Sequence, residues 1–151
     1  MNGPIRGPRV LLIDDDPDFL ERLGALLTAD RFEVATARSG LEGIESAAAE
    51  KPALIFLDAL MPVMDGFEAC RVLKAAGGTQ DIPVVFMTSL DRVGEVEKAF
   101  ACGADDYIVK SPDARRILAK ARKWSGRGAA PGEGPEKSPS PSWIFRKWSG
   151  G

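Results

Sequence analysis

Three short apolar runs restrict the fold more than any other feature: Val10-Leu11-Leu12-Ile13, Leu54-Ile55-Phe56-Leu57 and Val84-Val85-Phe86-Met87. None alternates with polar residues. A strand with one wet face would alternate; these read as strands covered on both faces, as inside a parallel sheet. Each is followed by a helical pattern. After Arg9–Ile13, Asp16 caps a helix with Pro17 as its first residue, and Phe19, Leu20, Leu23, Leu26 and Leu27 recur at helical spacing through Ala29. Phe32–Ala37 suits a short edge strand. Ser39-Gly40-Leu41-Glu42 is a capping box opening a helix whose expected apolar face is Leu41, Ile44 and Ala48.

The pattern then repeats. Ala53–Asp58 is a strand, and a helix carrying Phe67, Cys70, Leu73 and Lys74 runs from near Asp65 to before Gly77-Gly78. Pro83–Met87 is a strand, and Val93, Val96 and Phe100 mark a helix closing at Gly103. Tyr107–Val109 is a short fifth strand, and the last helix spans about Pro112 to Trp124 with Ile117, Leu118 and Ala121 inward. Strand–helix alternation forces parallel pairing through right-handed crossovers, giving a three-layer doubly wound α/β domain over residues 9–124. The pattern alone leaves the strand order open. Residues 1–8 are an N-terminal extension. Residues 125–151 form a Gly/Pro/Ser-rich tail, too poor in apolar residues to fold unaided, that ends in the aromatic and basic cluster Trp143–Trp148. The pentapeptide Arg-Lys-Trp-Ser-Gly occurs at Arg122–Gly126 and again at Arg146–Gly150.

Composition excludes several functions. The chain of 151 residues contains no histidine, so His-based triads, His zinc sites and a phospho-histidine donor role are all ruled out. A net charge of −2 does not suit a nucleic-acid binder, and no apolar run approaches a membrane span or a signal peptide. Cys70 and Cys102 lack metal-ligand spacing and read as reduced thiols of a cytoplasmic protein.

The chemistry gathers at the strand ends. Asp14 and Asp15 follow the first strand, Asp58 ends the third, Thr88-Ser89 the fourth and Lys110 the fifth. In a parallel sheet these ends share one rim, where ligands of open α/β sheets bind. Crowded carboxylates repel unless a cation sits among them, and hard oxygen ligands suit Mg²⁺. Lysine and hydroxyl complete a receptacle for a phosphoryl group, with Asp58 as the nucleophile.

Four segments carry a family resemblance: Leu12-Ile13-Asp14-Asp15-Asp16-Pro17, Leu57 to Gly66 with its Met-Pro-Val-Met-Asp-Gly, Met87-Thr88-Ser89, and Gly103 to Lys110. Over residues 9 to 124 the chain resembles the receiver domains of two-component response regulators, chemotaxis receivers included. The resemblance implies a flavodoxin-like five-stranded sheet of order 2-1-3-4-5 with five helices. It also implies Asp58 as phosphoacceptor. Asp15, Asp58 and the Leu60 carbonyl would be metal ligands, with Asp14 acting through water, and Thr88 and Tyr107 would be switch residues with Lys110 on the phosphate. A histidine kinase or histidine phosphotransfer protein would be the donor, and the protein would not be an enzyme.

Two departures stand out. The family's lysine precedes a cis proline, whereas Lys110 precedes Ser111, so that bond is either trans or a strained cis bond. The positions two past the acceptor and two past the threonine are Leu60 and Leu90, which cannot orient water; slow loss of the phosphoryl group is expected. About 27 residues follow Trp124, too few for an output domain. The expectation is a stand-alone receiver that signals by protein contact. Its contact surface would be the face of the fourth helix, fifth strand and fifth helix, or the tail, with a homodimer as one form. The last helix is basic on its outer side (Arg115, Arg116, Lys120, Arg122, Lys123). Two rivals are a receiver-like interaction module that is never phosphorylated and a phosphatase with an Asp nucleophile. The second would need an acid where Leu60 stands.

Overall fold

The computed structural model describes residues 7–89, 94–110 and 114–126. Ten elements alternate: β1 (Arg9–Ile13), α1 (Pro17–Ala29), β2 (Glu33–Ala37), α2 (Gly40–Glu50), β3 (Leu54–Asp58), α3 (Gly66–Ala75), β4 (Val84–Thr88), α4 (Val96–Ala101), β5 (Asp106–Val109) and α5 (Ala114–Trp124). The five strands are parallel in the order β2-β1-β3-β4-β5, the flavodoxin-like order. β1 has the expected bounds; β2 and β3 start one residue later, β4 loses Pro83 and gains Thr88, and β5 gains Asp106.

The unalternating strands are explained by two cores. Leu11, Ile13, Ile55, Leu57, Val84 and Phe86 face α2, α3 and α4, where Phe67, Cys70, Leu73 and Ala99 meet them. Val10, Leu12, Leu54, Phe56, Val85, Met87 and Ile108 face α1 and α5, through Leu20, Leu23, Leu27, Ile117, Ala121 and Trp124. Successive residues of a strand point to opposite faces, so every position of β3 and β4 is buried. Among the described residues no helix is long and apolar enough to cross a membrane.

The helix starts follow the expected chemistry. Asp16 Oδ1 accepts from the Asp18 and Phe19 N–H groups at 3.0 and 3.4 Å. Ser39 Oγ accepts from the Glu42 N–H at 3.1 Å, but the Glu42 carboxylate reaches back to the Arg38 N–H instead of that of Ser39. One expectation fails. On α2, Leu41 and Ala48 are exposed, and the buried positions are Gly40, Gly43 and Ala47, with Ile44 partly covered. The helix lies too close to the sheet for large side chains. A Cβ at Gly43 would stand 2.4 Å from Ile13 Cδ1, and one at Gly40 2.9 Å from Met64 Sδ.

The first Arg-Lys-Trp-Ser-Gly copy ends α5. Arg122 forms a two-pronged pair with Asp30 of the α1 C-cap (2.8 and 2.9 Å), and buried Trp124 donates its indole N–H to Asp106 Oδ2 at 2.8 Å. Ala121, just before this copy, is fully buried, and the second copy has Phe145 in that place. The second copy and the Trp143–Trp148 cluster lie outside the described residues, as do Val93, Leu90 and Ser111.

Alanine is the better helix former by about 1 kcal/mol, yet Gly43→Ala is expected to destabilise the fold by about 1–2 kcal/mol, because fully buried Ile13 cannot yield to the new methyl. Ile13→Val in the same chain should recover part of the loss. Urea denaturation of the single and double variants measures both, and a stabilised Gly43→Ala would contradict the packing.

Candidate functional site

The parallel register delivers the acids to one rim. β1 ends at Ile13 opposite Leu57, so Asp14 and Asp58 leave adjacent strands at the same level. Asp14 is held by its own N–H, which donates to Ala37 O at 3.0 Å, and by its Oδ1, which accepts from the Asp16 N–H at 3.0 Å. On the other side, Asp58 pairs with Met87 and Thr88 with Val109, and the Lys110 N–H donates to Thr88 O at 2.7 Å. The lysine and the threonine therefore ride on one rung.

The carboxylates of Asp14, Asp15 and Asp58 converge, with an oxygen of each within 4.8 Å of the others; Asp14 and Asp58 are buried and Asp15 is exposed. The Lys110 ammonium stands 2.6 Å from Asp14 Oδ2 and 3.2 Å from Asp58 Oδ1. Burial, and next the charge of Asp14, push the Asp58 carboxyl up to about 6 despite Lys110. Burial works against the Lys110 ammonium, but contact with Asp14 and the charge of Asp58 outweigh it and raise its pKa. The buried Asp14 Oδ2 has the ammonium beside it without a well-directed hydrogen bond. An all-oxygen, over-charged cluster open on one side fits a small hard cation that keeps some of its waters. These residues fit Mg²⁺.

The loop after β3 is built to stay low. A Cβ at Gly66 would stand 2.2 Å from the Asp58 carbonyl oxygen, so only glycine lets α3 start there. Asp65 caps α3 by accepting from the Glu68 N–H at 2.9 Å. The Met64 N–H donates to Pro62 O at 2.8 Å across a tight turn whose centre, Val63, has φ 69°. For a β-branched residue that conformation costs roughly 1–3 kcal/mol.

Asp58, Ala59, Leu60, Thr88, Ser89 and Lys110 line one depression, and the Leu60 side chain flanks its mouth. Behind Thr88 a second, narrow cavity is lined by Ala59, Phe67, Phe86, Val96, Ala99 and Tyr107. Tyr107 is half-buried, edge-on to Phe100 with centroids 6.1 Å apart. Asp14, Asp15, Asp58, Leu60, Thr88 and Lys110 thus lie together at the rim, and Tyr107 lines the cavity behind Thr88. Two residues with roles in charge pairing were missed, one at the rim and one at the far end of β5. Phe19, read as helix core, has the Lys110 ammonium 4.6 Å from its ring centroid. Asp106, given no role from the sequence, starts β5 and receives Lys120 at 2.7 Å as well as Trp124. Of the basic residues on α5, Lys120 and Arg122 are thereby already paired within the fold. Cys70 and Cys102 are free and buried, and burial pushes the Cys70 thiol up to about 12, which keeps it protonated and inert.

The response regulator receiver domain, as a family, matches residues 10–122. The response regulator PleD of Caulobacter vibrioides is 40% identical over 114 residues, 76% of this chain and 25% of PleD. The DNA-binding dual master transcriptional regulator RpaA of a Synechocystis strain is 37% identical over 115 residues, 76% of this chain and 48% of RpaA. The receiver domain of sensor histidine kinase PA1611 from Pseudomonas aeruginosa, solved with magnesium coordinated in its active-site cleft, superposes with a TM-score of 0.73 at 25% identity. That match covers 80% of this chain and 98% of the other. The chain spans half or less of PleD and RpaA. The expectation of no nucleic-acid partner rests on the charge of these 151 residues alone.

The raised Asp58 carboxyl sets a sign. The fold holds a proton on it that the unfolded chain releases near pH 4, so without divalent cation stability falls as pH rises from about 4 to about 6. Asp58→Asn in chelated buffer is expected to be more stable than the parent at pH 7 by roughly 1–3 kcal/mol, with the advantage fading toward pH 4. Thermal unfolding across that range checks it; an Asn variant no more stable at neutral pH would contradict it.

Proposed function

The chain belongs to the response regulator receiver family, a family of phosphoacceptor signalling domains, and we propose that Asp58 is its phosphoacceptor. The donor is a phospho-histidine on a histidine kinase or a histidine phosphotransfer protein. The observation that supports this most is the shared depression at the strand rim, where Asp58 lies beside two more acids, Lys110 and Thr88. An Asp58 oxygen forms the new bond to phosphorus as the bond to the donor imidazole nitrogen breaks; the imidazole leaves with the electron pair and takes up a proton. Asp15, Asp58 and the Leu60 carbonyl would hold Mg²⁺, with Asp14 through water, and the ion would offset charge on the phosphoryl oxygens. Lys110 meets one of those oxygens, and Thr88 donates its hydroxyl hydrogen to another.

The phosphoryl group adds roughly −1.5 to −2 charges at the rim. Thr88 moves toward it, and Tyr107 turns into the cavity behind Thr88. The face of α4, β5 and α5 changes shape, biasing a two-state surface toward a downstream protein or a second copy of the chain. Residues 9–124 act as the receiver, and 125–151 as a tail offering a second contact. The protein is an acceptor that assists its own phosphorylation and dephosphorylation, not a turnover enzyme, and works in the cytoplasm, which its two free thiols suit.

Incubation of the full chain with acetyl phosphate and Mg²⁺, followed by intact mass, is expected to give one phosphoryl adduct that Asp58→Asn abolishes. An adduct that survives Asp58→Asn, or none in the parent, would sink the assignment. Leu60 flanks the acceptor and offers water no hydrogen bond, so the adduct should last well beyond seconds, and Leu60→Asn should shorten its lifetime about tenfold or more.

A further inference from the structure

Lys110 has to reach an incoming phosphoryl group from a strand end whose neighbour does little to fix it. A proline at the next position would hold the lysine backbone in the extended region, and Ser111 does not. The ammonium is nevertheless held from three sides. Asp14 and Asp58 hold it from β1 and β3, and the third side is the Phe19 ring, on the first turn of α1. Phe19 is placed by the same short segment that presents the acids. Its N–H lies 3.4 Å from the Asp16 cap, and its ring is only half-buried, packed along the edge of the core that α1 shares with α5.

A ring centroid 4.6 Å from a lysine nitrogen is well inside the range at which an aromatic face attracts a cation. The attraction is weakly directional, unlike a hydrogen bond. An ammonium leaving Asp14 for a phosphoryl oxygen can slide across the ring without losing it.

We propose that Phe19 is a positioning residue for Lys110, its ring face keeping the ammonium over the acid cluster and ready for the phosphoryl oxygens. The proposal rests on the reading of Asp58 as the phosphoacceptor. Leucine at 19 would fill the space without attracting a cation, and tyrosine would restore the attraction.

The test uses the full chain and two readouts. In metal-free protein, the Lys110 side-chain methylene resonances, assigned with Lys110→Arg, should be shifted upfield by the ring; Phe19→Leu should abolish the shift and Phe19→Tyr keep it. With saturating Mg²⁺ and acetyl phosphate, acetate leaves with the electron pair as Asp58 bonds to phosphorus. Phe19→Leu should slow that capture roughly three- to tenfold, Phe19→Tyr should restore it, and Mg²⁺ affinity should be the same in all three. Unshifted Lys110 resonances in the parent, a parental rate in Phe19→Leu, or a loss that Phe19→Tyr fails to rescue would each overturn the proposal. A parent that takes no phosphoryl group overturns the Asp58 reading instead, and the resonance shifts then decide for or against the hold on Lys110.

Discussion

Three carboxylates kept within 4.8 Å of one another are an unfavourable arrangement that the rest of the fold has to hold. Left to themselves such groups separate or take up protons. Here they do neither freely. Asp14 and Asp58 leave adjacent parallel strands whose registers are set by fully buried side chains, and Lys110 supplies only one positive charge against them. Burial first, and next the charge of Asp14 that Lys110 does not fully offset, raise the Asp58 carboxyl. A site of this kind is stable in the fold but electrostatically incomplete. It gains most from a ligand that brings positive charge, and after that from a phosphoryl group whose oxygens that charge can meet.

The same sheet connects the site to a surface beyond it. Thr88 and Lys110 share a rung of the β4–β5 ladder, and Tyr107 lies three residues before Lys110 on β5. Asp106, next to Tyr107, receives Lys120 and Trp124 of α5 and so ties that helix to the same strand. A small movement at the rim thus has a short covalent and hydrogen-bonded route to the α4–β5–α5 surface. Close packing makes such elements prefer discrete arrangements over gradual deformation.

Much of this was legible in the chain. Apolar runs without alternation gave both faces of the sheet, and the strand-end acids, threonine and lysine marked the residues that the fold brings together at the rim. What escaped was decided by tertiary distance. Leu41 and Ala48 fit the helical period of α2 as well as Gly40, Gly43 and Ala47 do, and only the closeness of Ile13 and Met64 selects the small residues. Phe19 carries the period of a core position, and nothing local says that a lysine ninety-one residues later lies over its ring. Asp106 has no local partner that marks it, and only α5 brings Lys120 and Trp124 to it. Strand order came from the family resemblance, because alternation of strands and helices is shared by many orders.

The strain on the buried acids at the rim can be read directly by following the Asp58 carboxyl carbon in a ¹³C NMR titration, with and without Mg²⁺. Crowding by burial and by Asp14 puts its midpoint near 6 in chelated buffer, and a bound divalent ion should carry it well below that. A midpoint in the ordinary aspartate range that Mg²⁺ leaves unmoved would mean that the three acids are neither strained together nor built to share a cation.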